Sequence, residues 1–197
     1  MHASGGRGGE VVTVTNLNPS GPGSLADAVS KPNRIVVFAV SGIIDLTAVG
    51  KKGREKPGKI EISQPGITVA GQTAPGEGIC IKGGPLQIHA SNVIVRHLRS
   101  RRGWNFEGDT GDSIEFKAPI LGVAEKTAGQ TDEAFPKRIE KKEGRGKVVH
   151  EFAGMTDVIV DHCSASWATD ENLTCTHVDR ATLSWSIAAE GLDYDNP

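Results

Sequence analysis

Gly66-Ile67-Thr68-Val69-Ala70-Gly71, Asn92-Val93-Ile94-Val95-Arg96-His97, Asp157-Val158-Ile159-Val160-Asp161-His162 and Arg180-Ala181-Thr182-Leu183-Ser184-Trp185 superimpose without internal gaps. Their starts lie 26, 65 and 23 residues apart, a step of about two dozen residues with one long interval that reads as a spare coil plus an insertion. Each unit is a short run rich in β-branched residues, and Gly, Asn, Asp or Ser at its borders marks a turn. A strand this short cannot bury its own apolar face. Copies stacked side by side can, which predicts a solenoid of parallel strands. In such a fold, function sits on the outer face of one sheet, in a groove walled by loops.

Composition agrees. The chain has 197 residues, 37% of them hydrophobic, and a formal charge of −2, enough for one domain with a core and without the basic footprint of a nucleic-acid binder. Its 25 glycines and 10 prolines suit a fold that turns every few residues. Aromatic residues are only 5%, so Val, Ile, Leu and Ala must fill the interior. No apolar run reaches the roughly 20 residues of a membrane span, and residues 1–9 hold no apolar signal-peptide core. Three cysteines, Cys80, Cys163 and Cys175, are too few for a disulfide framework, although a Cys163–Cys175 bridge stays open.

Along the chain, residues 10–16, 34–40, 59–63, 66–71, 78–82 and 86–88 read as strands, and residues 24–29 as a short helix capped by Ser24. Residues 49–59 form a basic loop containing Lys51, Lys52 and Arg54. One domain over residues 1–197 is expected, with a charged surface insertion at about 117–149, where the period is lost among eight basic and five acidic residues. Val93, Val158 and Ala181 share one inward column, and Val95, Val160 and Leu183 another. His97, His162 and Trp185 have the same parity, which predicts a stacked inner column. Arg96, Asp161 and Ser184 face outward, with Arg96 and Asp161 placed to pair. Structural stacking therefore explains Asp161 and His162, and a catalytic or ligand role is the alternative.

Other constellations discriminate less. Cys163, Cys175, His162 and His177 match no zinc spacing. Gly-x-Ser-x-Gly is absent, and no Gly-Lys-Ser/Thr follows the glycines at residues 5–9. The acidic turns Glu107-Gly108-Asp109-Thr110-Gly111-Asp112 and Asp170-Glu171-Asn172 are better placed. On neighbouring coils they would gather three or four oxygens, the donor set of a hard cation such as Ca²⁺.

Gly5-Gly6-Arg7-Gly8-Gly9-Glu10-Val11-Val12-Thr13-Val14-Thr15-Asn16-Leu17, Ile67-Thr68-Val69-Ala70-Gly71-Gln72-Thr73-Ala74-Pro75-Gly76 and Val158-Ile159-Val160-Asp161-His162-Cys163-Ser164-Ala165-Ser166-Trp167 resemble segments of pectate lyases. The resemblance covers nearly the whole chain except residues 117–149. It implies an all-β, right-handed parallel β-helix of the pectin lyase-like kind, calcium-assisted β-elimination of polygalacturonate or pectin, export from the cell and a monomeric intact protein. By the same resemblance, calcium falls on Asp112, with Asp109 nearby, and on Asp170. Thr174 stands where relatives often carry a further acid, leaving Glu171 or the substrate to complete the site. The family's base is an arginine in an Arg-x-Pro-Arg-like segment of a later coil, and no such motif occurs before Pro197. The expectation is an incomplete stretch of an enzyme, carrying the calcium ligands but little activity by itself. The alternatives are a non-catalytic β-helix that binds acidic polysaccharide, and a structural β-helix module.

Overall fold

Short apolar runs flanked by residues that tolerate a left-handed backbone build this chain. The computed structural model describes residues 3–47, 58–104, 111–125, 138–143, 146–152 and 154–192, with backbone alone over 120–152. In chain order, β1 (Glu10–Val14) and α1 (Leu25–Ala28) lead into β2 (Arg34–Phe38), β3 (Gly42–Asp45) and β4 (Ile60–Ile62). The next coil is β5 (Ile67–Ala70), β6 (Ile79–Lys82) and β7 (Leu86–Ile88), and the one after it β8 (Val93–Arg96), β9 (Leu98–Arg101) and β10 (Ile114–Lys117). After β11 (Ile120–Glu125), β12 (Arg138–Glu143) and β13 (Gly146–Phe152) come β14 (Met155–Asp161), β15 (Ser164–Ser166), β16 (Leu173–Thr176), β17 (Val178–Ser184) and β18 (Ile187–Ala189).

Strands from successive coils pair in parallel. Sheet A has the order β1-β2-β5-β8-β14-β17, sheet B β3-β6-β9-β15-β18 and sheet C β4-β7-β10-β16. This is a parallel β-helix, as the repeats require. Val69, Val95 and Val160 stack inside sheet A, Ile81 and Ala165 inside sheet B, and Ile62, Ile88 and Phe116 inside sheet C, none more than 1% exposed. Ala181 and Leu183 continue the sheet A columns on the last described coil and are exposed. Helix α1 closes the first coil: Ser24 Oγ accepts from Asp27 N at 3.2 Å, and Leu25 and Ala28 join the core.

Two expectations need correction. The 65-residue interval contains no spare coil, because β8 pairs directly with β14 in the register Val93↔Val158. Between these strands the chain adds instead an antiparallel sheet, β11-β13-β12, which accounts for the lost period. His97, His162 and Trp185 do stack, with ring centroids 4.7 and 6.1 Å apart, but on the outside, where Trp185 is 83% exposed. Their φ angles of 53°, 53° and 47° are left-handed, so the chain turns a corner at each and strict alternation stops there. The first residues of the four quoted units are left-handed as well: Gly66, Asn92, Asp157 and Arg180 have φ of 72°, 58°, 62° and 56°. Three of the units thus run from one left-handed residue to another, and the first runs from Gly66 into the 3-10 turn at Gly71–Thr73.

Candidate functional site

Parallel pairing of β10 with β16 sets Ile114 opposite Leu173, so the residues just before the two strands lie side by side. Main-chain bonds lock this junction: Asp170 N donates to Gly111 O at 3.2 Å, Ser113 N to Glu171 O at 3.1 Å and Ile114 N to Asn172 O at 3.1 Å. The carboxylate oxygens of Asp112, Asp170 and Glu171 thereby come within 4.8 Å of one another, and no other such group of acids, histidines or cysteines occurs among the described residues. Asp112 is buried, and the other two are exposed. Hydrogen bonding and repulsion from Asp112 and Asp170 raise the Glu171 carboxyl above its ordinary 4.5. Asp109 lies outside the described residues, as do Lys51, Lys52 and Arg54.

A cleft of about 420 Å³ opens here, lined by Arg102, Asp112, Glu115, Lys117, Asp170 and Glu171 among others. Arg102, only 3% exposed, donates through one terminal nitrogen to Thr169 Oγ1 at 3.1 Å. The cleft floor is the outer face of sheet C, where Glu61, Gln87, Glu115 and Thr174 stand in one row of the register. Gln87 Oε1 and Thr174 Oγ1 are buried there without a hydrogen-bond partner. His89 ties three coils together, with Nδ1 3.0 Å from Glu61 and Nε2 3.0 Å from Glu115. Glu115 holds the His89 imidazole above its ordinary 6.5, and His89 in return lowers the Glu115 carboxyl. The Glu61 carboxyl is lowered chiefly by Lys59, 2.6 Å away.

No motif pointed to Glu61, His89 or Glu115. Their signal was alternation alone: each is the outward neighbour of buried Ile62, Ile88 or Phe116.

On sheet A, the Asp161 carboxylate forms an ion pair with Arg96, Nε lying 3.3 Å away, accepts from the Ser184 hydroxyl at 2.8 Å and lies 2.9 Å from His162 Nδ1. These contacts lower its carboxyl, the Ser184 hydrogen bond most. The pairing of Arg96 with Asp161 is the one alternation predicted. His162, His177, Cys163 and Cys175 do not converge on a metal-binding geometry, and all three cysteines are free.

Stacked parallel coils with an acidic cleft on one outer sheet define a pectin lyase-like parallel β-helix. No protein-family model matches the chain. It is 36% identical over 98% of its length to the probable pectate lyase C of Aspergillus flavus, and equally so to that of Aspergillus oryzae. It is 34% identical over 98% of its length to the probable pectate lyase C of Emericella nidulans. The chain spans about a third of the length of these relatives, 35% in each case. It is thus a relative of the pectate lyases. Among the described residues no helix is long and apolar enough to cross a membrane.

Proposed function

We propose that the intact protein cleaves polygalacturonate by calcium-assisted β-elimination, and that Asp112, Asp170 and Glu171 hold the ion. The carrying observation is the convergence of these three carboxylates within 4.8 Å in a cleft on an outer sheet. The donor chemistry fits: hard oxygens, two of them exposed, beside the unpartnered buried oxygens of Gln87 and Thr174. Calcium bound there would neutralise a uronate carboxylate and lower the cost of charge developing next to it. The chain's own groups do the positioning. Asp112 is fixed by burial and by the Glu171 N–H, 3.4 Å from its Oδ1, while Lys117 places a second cation along the same cleft. Location outside the cell, where the polymer lies, and a monomeric state belong to the same reading.

A second reading, binding without cleavage, is favoured by Arg102. Among the described residues it is the arginine lining this cleft, yet at 3% exposure and tied to Thr169 it is badly placed to meet a sugar.

The test is the rise of unsaturated-uronide absorbance on polygalacturonate with calcium and then with EDTA. A calcium-dependent rise supports the lyase. A flat trace with calcium-dependent binding supports the second reading, and neither signal from folded protein sinks both.

A further inference from the structure

The outer face of sheet B belongs to a different sheet from the acidic cleft and carries the opposite charge. Ile44, Ile81, Ser100 and Ala165 point inward at 0% exposure, so their strand neighbours point out. Cys80, Arg99 and Ser164 form one outward row, and Lys82, Arg101 and Ser166 the next. Lys82 is paired with Asp45 at 2.9 Å. Arg99 and Arg101 make no ion pair among the described residues. They are held by neutral acceptors instead: Arg99 donates to Glu77 O at 2.7 Å, and Arg101 to Ser100 O, Ser164 O and Ser164 Oγ at 3.0, 3.1 and 2.9 Å. Both guanidiniums are therefore oriented without a carboxylate in ion-pair contact among the described residues, and each keeps N–H groups for a carboxylate.

Concavity and an aromatic plane accompany these charges. A cleft of about 520 Å³, within the range of ligand pockets, is lined by His97, Arg99, His162, Ser164, Trp185 and Ile187 among others. Beyond Arg101 stands Trp167, 44% exposed, its ring centroid 5.9 Å from the guanidinium carbon. The indole is pinned by Nε1, which donates to Glu190 Oε2 at 3.0 Å, and its backbone is left-handed at φ 62°.

We propose that this face is a second polyuronate-binding site, independent of calcium, in which Arg99 and Arg101 take sugar carboxylates and Trp167 stacks on a ring. The inference rests on the reading that polyuronate is the substrate class. Charge complementarity selects the occupant: a polyuronate alternates carboxylates with the apolar faces of its rings, matching fixed guanidiniums beside a fixed indole. The acidic cleft needs a cation to hold the same polymer, whereas sheet B supplies its own.

Binding of galacturonate oligomers is measured by titration calorimetry in EDTA and then in calcium. Expected in EDTA is a residual affinity that falls as salt rises and is lost with methyl-esterified oligomers. Arg99→Gln with Arg101→Gln should weaken it about tenfold or more, and Trp167→Ala should weaken it less. Arg99→Gln alone breaks one bond to a main-chain carbonyl and guards against misfolding. The proposal is overturned if EDTA abolishes all binding by the unmodified protein, if that binding ignores salt, or if the double variant binds unchanged. It also falls if single-stranded RNA binds this face as tightly. Failure of the calcium reading looks different: EDTA-resistant binding persists and calcium adds nothing.

Discussion

His89 Nε2 lies 3.0 Å from Glu115 Oε1, across one coil of sheet C and inside the register that sets Gln87 between Glu61 and Glu115. Because Glu61 holds the other ring nitrogen, the imidazole joins three coils of the cleft floor. Folding raises His89 above 6.5, so its contribution is full below that value and is lost as pH rises through the folded pKa. Folding lowers Glu115 and Glu61 below 4.5, so theirs is full above that value and is lost as pH falls through the folded carboxyl pKa. The clamp is therefore strongest between pH 4.5 and 6.5. His89→Gln should cost about 1 kcal/mol in that window and progressively less above it. Melting curves of both proteins across pH check this, and a difference that grows above pH 7 would refute the clamp.

The acidic cluster predicts effects of opposite sign with and without calcium. Glu171 is raised by its two neighbours, so the crowded carboxylates destabilise the fold increasingly as pH rises above 4.5. Asp170→Asn should raise the melting temperature in EDTA by relieving that repulsion. The same variant should lose most of the stabilisation that calcium gives the unmodified protein, with at least about a tenfold loss of calcium affinity. Terbium luminescence and thermal melts provide the readouts. An Asp170→Asn protein that melts lower in EDTA and still binds calcium normally would show that the cluster is no cation site.

The repeats made the fold legible because each β-branched run begins at a left-handed corner, and Gly66, Asn92 and Asp157, residue types that tolerate that backbone, advertise three of the four. The stack of His97, His162 and Trp185 was legible as a stack but not as an outer one. Alternation assumes continuous extended backbone, whereas a left-handed residue at the corner leaves Arg96 and His97 both outside and returns Leu98 to the core at 1% exposure. Asp161, His162 and Cys163 repeat that pattern. The convergence of Asp112 with Asp170 and Glu171 followed from treating two acidic turns as neighbours in the stack. His89 was invisible because its partners, Glu61 and Glu115, each lie more than 25 residues away, joined only by register.

Core packing sets the largest single-residue effect. Phe116, 1% exposed, continues the sheet C column after Ile62 and Ile88 and is the bulkiest fully buried side chain described. Phe116→Ala should cost about 3–5 kcal/mol, through lost transfer energy and the cavity left between coils. Urea denaturation measures it. A loss below about 1 kcal/mol would mean that the coils close over the gap, which stiff parallel pairing on both sides of β10 opposes.

The three thiols should separate by column. Cys163 lies inside the corner after His162 at 3% exposure, with Sγ 3.4 Å from Asp161 O, and burial pushes its thiol up. Cys80 sits half-buried on the outer face of sheet B, where burial raises its pKa and Arg99 and Arg101 pull it back. Cys175 follows Phe116 in the inward column of sheet C but is exposed on the last described strand of that sheet. Attack on a disulfide reagent needs both access and thiolate. In native protein Cys175 and Cys80 should therefore react while Cys163 does not, and denaturant should release the third thiol. Peptide mapping after alkylation assigns each one. A Cys163–Cys175 bridge would leave only Cys80 reactive even in denaturant, and a native Cys163 as fast as Cys175 would mean that the corner beneath His162 opens readily.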